Sequence, residues 1–376
     1  MKKSLGIYLH IPFCKSRCIY CDFISSVGDQ KSMDKYVEYL SKQILDEGKR
    51  YSNDYIVDTV YFGGGTPTLL SNDNIQKLAN SIVNSFELKL KEFSIEVNPC
   101  TVDEEKFRTL KNAGVTRISL GVQAFNDDLL KTLGRRHTST QAINAIKLAL
   151  EFGFDVSVDC MLALPNQTLD DVKEFIDTAS SLGVDHISAY MLSVEDGTAL
   201  KRLVDGNILK AKSDDEEAQF YEYAQYLLKE KGYSRYEISN FCKNGKVSFH
   251  NLRYWNCEDY LGMGLSAHSL INGERWRCSN KFDEYYNYID GLIPQRFDSE
   301  KLSVDDKKNE MIMLALRLDS GLDVEKYENT FNEKFENEYE RAIAKNAEYI
   351  NYDGKRLSIK EEYLKVMNSI VVDFIK

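Results

Sequence analysis

Three cysteines lie close together near the start of the chain, in the stretch GIYLHIPFCKSRCIYCDF at residues 6–23. They are Cys14, Cys18 and Cys21, with the spacing C-x3-C-x2-C. A structural zinc site usually has four ligands, often in two C-x2-C pairs, and the other five cysteines here are scattered singly. Three thiolates on one loop can bind three irons of a [4Fe–4S] cube and leave the fourth iron open to another ligand.

A run of glycines follows the second predicted strand, in GGGTPT at residues 63–68. Consecutive glycines let backbone N–H groups approach a ligand without obstruction by side chains. On its own this run is also explained by a tight turn.

Polar residues stand near the carboxyl ends of three further predicted strands. Glu96, Gln123 and Asp159 each alternate with apolar neighbours, so each lies on the polar face of its strand. A buried carboxylate is costly unless it is paired or hydrogen-bonded. A polar plug between strands explains one such residue, whereas three at matching strand ends favour a polar ligand.

The elements that position these residues alternate between strand and helix, which predicts parallel strands with right-handed crossovers. Helices are predicted to start at Ser71, Thr101 and Thr168, and glycines 114, 153 and 183 are predicted to close helices. The chemistry is spread over successive strand ends, which favours a barrel over a single crevice. Six units rather than eight predict an α/β fold with a partial (β/α)6 barrel, and the predicted strands are residues 6–11, 58–65, 92–99, 116–125, 154–165 and 185–194.

Three domains are expected from the change of pattern along the chain. Residues 1–195 form the barrel core, and residues 196–300 extend the barrel and carry HNLRYW at 250–255. Residues 301–376 are mostly helical with a hairpin turn at Asp353-Gly354, which predicts a small winged-helix-like domain.

Composition excludes several classes of protein. The chain has 376 residues, 43% of them apolar, and a formal net charge of -11, which argues against nucleic-acid binding. No apolar run approaches the ~20 residues that span a bilayer, so no integral membrane segment is expected. Eight cysteines are too dilute for a disulfide scaffold, and a cytoplasmic location is predicted.

The cysteine motif, with Tyr20 before its last cysteine, resembles the radical S-adenosylmethionine (SAM) family. The resemblance implies a [4Fe–4S] cluster on the three cysteines, with SAM on the free iron. It also implies that the glycine run holds the amino and carboxylate end of SAM, and it leaves Arg136 as an alternative to Arg135. The residues that it implies as SAM contacts are Tyr8, Tyr20, Gly64, Gly65, Thr66, Glu96, Gln123, Arg135 and Asp159.

A narrower resemblance is to oxygen-independent coproporphyrinogen III oxidase and its relatives, carried by YLHIPFCKSRCIYCDF, SIEVNP, GVQAFN and ALPNQT. Two departures stand out. The oxidases have a fourth cysteine where this chain has Phe23, and they have a long arm before the cluster where this chain has 13 residues. Both departures, together with HNLRYW, resemble the HemW-type branch, whose members are regarded as heme chaperones.

That branch implies heme as cargo. His250 is then a candidate axial ligand, Tyr254 and Trp255 are candidates to stack on the porphyrin, and His268 is a second candidate ligand. A histidine and two aromatic residues in a loop can also simply anchor that loop. His10 is expected to form hydrogen bonds beside the cluster.

Two functions remain open at this stage. In the favoured one, the chain binds heme and delivers it to heme-accepting proteins. In the alternative, it is an enzyme that decarboxylates coproporphyrinogen III to protoporphyrinogen IX by radical SAM chemistry. Both share the fold and the cofactors, so only Phe23, the short N-terminal segment and HNLRYW separate them.

Overall fold

The computed structural model describes residues 2–293 and 296–375. Its centre is a set of six parallel strands that neighbour each other in chain order. All six predicted strands are confirmed, with ends that differ by a few residues. The strands are β1 (Lys3–Ile11), β2 (Tyr55–Gly64), β3 (Leu88–Val97), β4 (Arg117–Gln123), β5 (Asp155–Leu162) and β6 (His186–Met191).

Helices connect these strands, as the alternating pattern predicts. They are α1 (Gln30–Tyr51), α2 (Asn72–Ser85), α3 (Glu104–Asn112), α4 (Asp127–Thr132), α5 (Ser139–Glu151) and α6 (Leu169–Ser181). Ser71 and Thr168 cap α2 and α6 as predicted. The start predicted at Thr101 is wrong, because Thr101 ends a 3-10 turn and Asp103 caps α3 through the N–H of Lys106.

The chain then extends the sheet at both edges. β7 and β8 add antiparallel strands beside β6, whereas β9 pairs parallel with β1 and leads to β10, β11 and β12. No pairing joins β12 to β7 within residues 2–293 and 296–375, so the barrel is open, as predicted. The elements are α7 (Ala199–Asp205), α8 (Asp214–Glu230), β7 (Ser234–Glu237), β8 (Asn240–Cys242), α9 (Phe249–Trp255), β9 (Tyr260–Met263), β10 (His268–Ile271), β11 (Glu274–Arg277), α10 (Phe282–Ile289) and β12 (Phe297–Lys301).

The C-terminal part is mostly helical and has its own apolar core, with a three-stranded antiparallel sheet in the order β13-β15-β14. Gly354 takes a φ of 81° in the predicted hairpin turn between β14 and β15. The elements are α11 (Val304–Ala315), β13 (Leu322–Asp323), α12 (Val324–Phe331), α13 (Phe335–Lys345), β14 (Ile350–Tyr352), β15 (Arg356–Ile359) and α14 (Met367–Val371).

The barrel strands show how alternation sorts the side chains. In β3, Phe93, Ile95 and Val97 are buried in the apolar core that the sheet shares with its helices. The alternate residues of the strand, Ser94 and Glu96, belong to its polar face. The carboxyl ends of the parallel strands meet at one edge, and this edge positions the candidate site.

No helix among the described residues is long and apolar enough to cross a membrane. The expected domain limits at residues 1 and 376 lie outside the described residues. The expected boundary at residue 195 stays a prediction, since strands from both sides of it belong to the same sheet.

Candidate functional site

The loop that carries the three cysteines follows β1 and is fixed at several backbone positions. The N–H of Cys14 donates to the carbonyl of Ser26 at 3.0 Å, and the N–H of Ser26 donates to the carbonyl of Pro12 at 2.8 Å. The N–H of Ile19 donates to Leu133, and the N–H of Leu200 donates to Ile19. The loop is therefore held by its own flanks and by two later parts of the chain.

All three cysteines line one cavity at the carboxyl ends of the strands, which we call the cluster cavity. Every residue predicted to contact the cluster or SAM lies on its wall except Tyr8. The wall is formed by Cys14, Ser16, Arg17, Cys18, Tyr20, Cys21, Phe23, Ser25, Gly64, Gly65, Thr66, Glu96, Val97, Asn98, Ser119, Gly121, Gln123, Arg135, Asp159 and Tyr190.

The thiols are arranged around the cavity and do not converge on one point. Among the described residues, no group of three His, Cys, Asp or Glu side chains is placed to hold a single metal ion. A cluster has a different requirement, because each thiolate binds its own iron. Burial raises the pKa of Cys14 and of Cys21, and iron would replace the thiol proton.

The glycine run closes the cavity by tight backbone packing. The N–H of Gly64 donates to Glu96 Oε2 at 2.9 Å. The N–H of Gly65 donates to the Ile11 carbonyl at 2.9 Å, and the N–H of Thr66 donates to the Phe13 carbonyl at 2.7 Å. A Cβ on Gly65 would lie 2.6 Å from the Phe13 carbonyl oxygen, so only glycine fits there. Contrary to the expectation from sequence, these N–H groups are paired within the protein and are not open donors.

Two carboxyl groups face the cluster cavity, Glu96 from β3 and Asp159 from β5. Glu96 accepts hydrogen bonds from the N–H of Gly64 and from Tyr61 Oη, the latter at 3.0 Å. Burial, and secondly the charge of Asp159, raise the pKa of Glu96 to about 7. Burial raises the pKa of Asp159 to about 6 against the opposing effects of Ser188 and Arg135. These acids are suited to accept hydrogen bonds from amino or hydroxyl groups of a ligand.

Arg135 lies beside the cluster cysteines. Its Nη1 is 3.7 Å from Cys18 Sγ, and its Nη2 donates to the carbonyl of Gly121. Its Nε is buried and has no partner among the described residues, so the site holds a donor that a ligand can satisfy. Arg136, the alternative left open by the sequence, lines a small neighbouring cavity whose wall includes Cys100 and also Cys18. Of the two arginines, Arg135 lines the cluster cavity.

Gln123 and Tyr190 complete the wall. Gln123 adopts a left-handed φ of 70° at a register shift in β4, and its Oε1 accepts from Tyr190 Oη at 2.8 Å. Tyr190 was not predicted from sequence. The available signal was the alternation of β6, which places Tyr190 on the same face as Ser188 near the strand's end. Three thiols, two acids and an unpaired Arg135 donor fit the predicted cluster with SAM.

A second cavity, which we call the tyrosine cavity, adjoins the cluster loop. It is lined by Tyr8, His10, Asp22, Phe23, Ile24, Tyr254, Tyr260, Ser266, Ala267 and His268. Tyr8 thus lies in this cavity, where its Oη is 3.0 Å from His10 Nδ1. His10 Nε2 is 2.9 Å from the Ile24 carbonyl oxygen, so His10 ties β1 to the end of the cluster loop. Phe23 lines both cavities.

His250 is completely buried inside the barrel. Its Nδ1 is 3.0 Å from Thr59 Oγ1, its Nε2 is 2.9 Å from Tyr254 Oη, and its ring stacks on Tyr61. Burial, and secondly Arg253, lower the pKa of His250 to about 3, so the ring is neutral. In this arrangement both ring nitrogens are occupied, and His250 lines neither the cluster cavity nor the tyrosine cavity.

The two aromatic residues of HNLRYW differ in the cavities that they line. Tyr254 lines both the tyrosine cavity and a third cavity, which we call the tryptophan cavity, whereas Trp255 lines only the tryptophan cavity. Its further walls include Cys257, Leu270 and Leu314, so it lies between the barrel extension and α11. The structure therefore does not bring His268 and Trp255 to one cavity.

Comparison with known proteins agrees with this geometry. Residues 8–179 match the model of the radical SAM superfamily, and residues 302–365 match that of the HemN C-terminal domain. A solved coproporphyrinogen III oxidase (HemN) from Escherichia coli, described as a radical SAM enzyme, superposes with a TM-score of 0.88. The match covers 99% of this chain and 90% of the oxidase at 23% identity, and it shows a common fold.

Curated relatives match at higher identity. Heme chaperone HemW from Lactococcus lactis is 33% identical over 379 residues, which cover 100% of this chain and 98% of the relative. Heme chaperone HemW from Bacillus subtilis is 34% identical, covering 93% of this chain and 96% of the relative. The chain therefore belongs to the HemW family within the radical SAM superfamily.

Proposed function

We propose that this protein is a heme chaperone, which binds heme and delivers it to heme-accepting proteins. The observation that carries the proposal is the match to curated heme chaperones over essentially the whole chain. The eight cysteines are free, which suits the reducing cytoplasm, where we place this activity.

The superfamily implies a [4Fe–4S] cluster and SAM as cofactors. We assign the cluster to Cys14, Cys18 and Cys21, since all three line the cluster cavity. When bound, the cluster with SAM supplies one-electron chemistry. Around it, Arg135 places a positive charge beside Cys18, and Glu96 and Asp159 offer acceptors to SAM.

The residues that we assign to SAM share one property, which is that they line the cluster cavity beside the cysteines. They are Tyr20, Gly64, Gly65, Thr66, Glu96, Gln123, Arg135 and Asp159. Tyr190 joins them through its hydrogen bond to Gln123. Tyr8 is not included, because it lines the tyrosine cavity.

A second candidate function is that of a coproporphyrinogen III oxidase. The similarity in fold to that enzyme over 99% of the chain favours it. Against it stands Phe23, at the position where the resemblance implies a fourth cysteine in the oxidases. Its side chain is 63% exposed between the cluster cavity and the tyrosine cavity, so an apolar surface replaces a thiol there.

One paired experiment separates the two functions. The cluster is reconstituted without oxygen, ferric heme is titrated, and coproporphyrinogen III is assayed separately with SAM and a reductant. We expect stoichiometric heme binding and no product. Repeated turnover to protoporphyrinogen IX would contradict the chaperone function and establish the oxidase.

A further inference from the structure

The tyrosine cavity has the walls of a site for a flat aromatic ligand. Tyr8, Tyr254 and Tyr260 contribute aromatic rings, and Phe23 and Ile24 contribute exposed apolar surface from the cluster loop. The cavity measures about 340 Å³, within the range of small-molecule sites. Aromatic faces of this kind stack on planar conjugated rings.

His268 is the histidine in this cavity that can bind a metal. Its side chain is exposed, and among the described residues its ring nitrogens have no hydrogen-bond partner. By contrast, His10, His186 and His250 each use both ring nitrogens within the protein. His137 is buried, with Nε2 3.1 Å from the Val122 carbonyl oxygen. His268 therefore differs from the other four in presenting an open nitrogen to a cavity.

The charge around the cavity is mixed: Asp22 lines its wall, and Arg277 lies beside His268 without lining it. Arg277 lies directly opposite His268 in the antiparallel pair of β10 and β11. Its Nε is 2.5 Å from Asp298, whose side chain is 71% exposed. The Arg277 side chain is 24% exposed and its Nη1 also donates to the Cys278 carbonyl at 3.3 Å, so only part of the guanidinium is left for a ligand carboxylate.

We propose that heme binds in the tyrosine cavity with a ring nitrogen of His268 as an axial ligand of its iron. The porphyrin packs against the tyrosines and Phe23, and its propionates point toward Arg277. His250 then acts as a positioning residue, because its Nε2 is hydrogen-bonded to Tyr254 Oη on the cavity wall. This inference rests on the proposed heme-binding function.

The test is a titration of the full-length, cluster-reconstituted protein with ferric heme, followed by absorbance and electron paramagnetic resonance. In His268→Ala we expect the spectral features of axial histidine to disappear. Affinity falls about tenfold or more, because even the outer partners of metal ligands contribute ~10–100-fold. Added imidazole restores the histidine-type spectrum. An unchanged spectrum and affinity in His268→Ala would overturn the inference.

His250→Gln is the contrasting variant. We expect weaker binding, since Tyr254 loses its partner, with unchanged axial-histidine features in the heme that does bind. Loss of those features in His250→Gln while His268→Ala keeps them would overturn the inference. Failure of the unsubstituted protein to bind heme would instead contradict the proposed function.

A second pair of variants tests the cavity without changing a histidine. Phe23→Asp places a charge on the apolar wall and is expected to weaken heme binding, and because Phe23 also lines the cluster cavity, heme affinity is compared at matched iron content. Val83→Asp is the control, because Val83 on α2 is similarly exposed, at 58% against 63%, and lines none of the three named cavities. Unchanged heme affinity in Phe23→Asp would place heme elsewhere and overturn the inference. A loss of heme affinity in Trp255→Ala alone would place heme in the tryptophan cavity and would also overturn it.

Discussion

At the scale of single residues, the cluster cavity combines groups that are costly without a ligand. Arg135 Nε is buried without a partner among the described residues, and the pKa of both Glu96 and Asp159 is raised. An unsatisfied buried donor and two desolvated acids destabilise the ligand-free protein. Bound SAM would supply partners for all three groups.

Replacing one cluster cysteine tests the iron ligands. We expect Cys18→Ser to lower the iron and sulfide content after reconstitution, since one iron loses its thiolate. Cys257→Ser is the control, because Cys257 lies in the tryptophan cavity. Iron analysis and the visible absorbance measure both variants, and a full cluster in Cys18→Ser would contradict the assignment.

Glu96→Gln tests the acid in the cavity. A hydrogen bond to a charged group contributes ~1.5–3 kcal/mol, so we expect SAM affinity to fall about tenfold or more. Calorimetric titration of the reconstituted protein measures this affinity. Glu104→Gln is the control, since Glu104 on α3 is 67% exposed and does not line the cavity.

Glu96→Gln also tests a predicted pH dependence of the stability of the protein, measured without SAM. The pKa of Glu96 is raised from 4.5 to about 7, so between these values the folded state holds a proton that the unfolded chain releases. Stability therefore falls as pH rises through this interval. We expect the unfolding temperature of Glu96→Gln to fall less over this pH interval than that of the unsubstituted protein. An identical fall in the two proteins would contradict a buried, titrating Glu96.

At the scale of elements, the barrel was predictable from local sequence. Strands are indicated by the alternation of adjacent residues, and most of the predicted helix starts by a single capping residue. Ser71 and Thr168 cap helices as their types predict. The helix start predicted at Thr101 was wrong because Asp103, two residues later, is the N-cap of α3. The burial of His250 was not predictable, since it depends on Thr59 and Tyr61, which are distant in sequence.

The helix α9 is anchored by a residue that the sequence did not single out. Arg253 is fully buried, pairs with Asp58 on β2 and donates to the Asp259 carbonyl at 2.9 Å. HNLRYW is therefore in part a structural segment, which was the simpler of the two interpretations open from sequence. Only the tertiary contact reveals this role.

Removing Arg253 tests this anchor. Arg253→Met leaves Asp58 buried and poorly paired, so we expect the free energy of unfolding to fall by about 3–5 kcal/mol. Arg108→Met is the control, because its pair with Glu104 is exposed and such pairs contribute ~0.3–0.5 kcal/mol. Chemical denaturation measures both, and equal losses would contradict a buried anchor.

At the scale of the whole molecule, one continuous sheet joins the barrel to the extension that carries α9. The C-terminal part is attached to that extension, since the N–H of Asp319 donates to the Tyr236 carbonyl and Arg235 pairs with Asp319 at 2.7 Å. The cluster cavity and the tyrosine cavity share Phe23. The cavity in which we propose heme thus adjoins the cavity in which we propose the cluster and SAM, and this arrangement depends on the assembled sheet.

The central claim is that this protein carries heme and does not oxidise coproporphyrinogen III. The direct measurement is transfer: the reconstituted protein is loaded with one equivalent of ferric heme and mixed with an apo-hemoprotein of higher affinity, and the absorbance of both is followed. The account predicts that heme moves to the acceptor and leaves the protein able to bind heme again. Failure to bind or release heme, together with repeated turnover of coproporphyrinogen III, would contradict it.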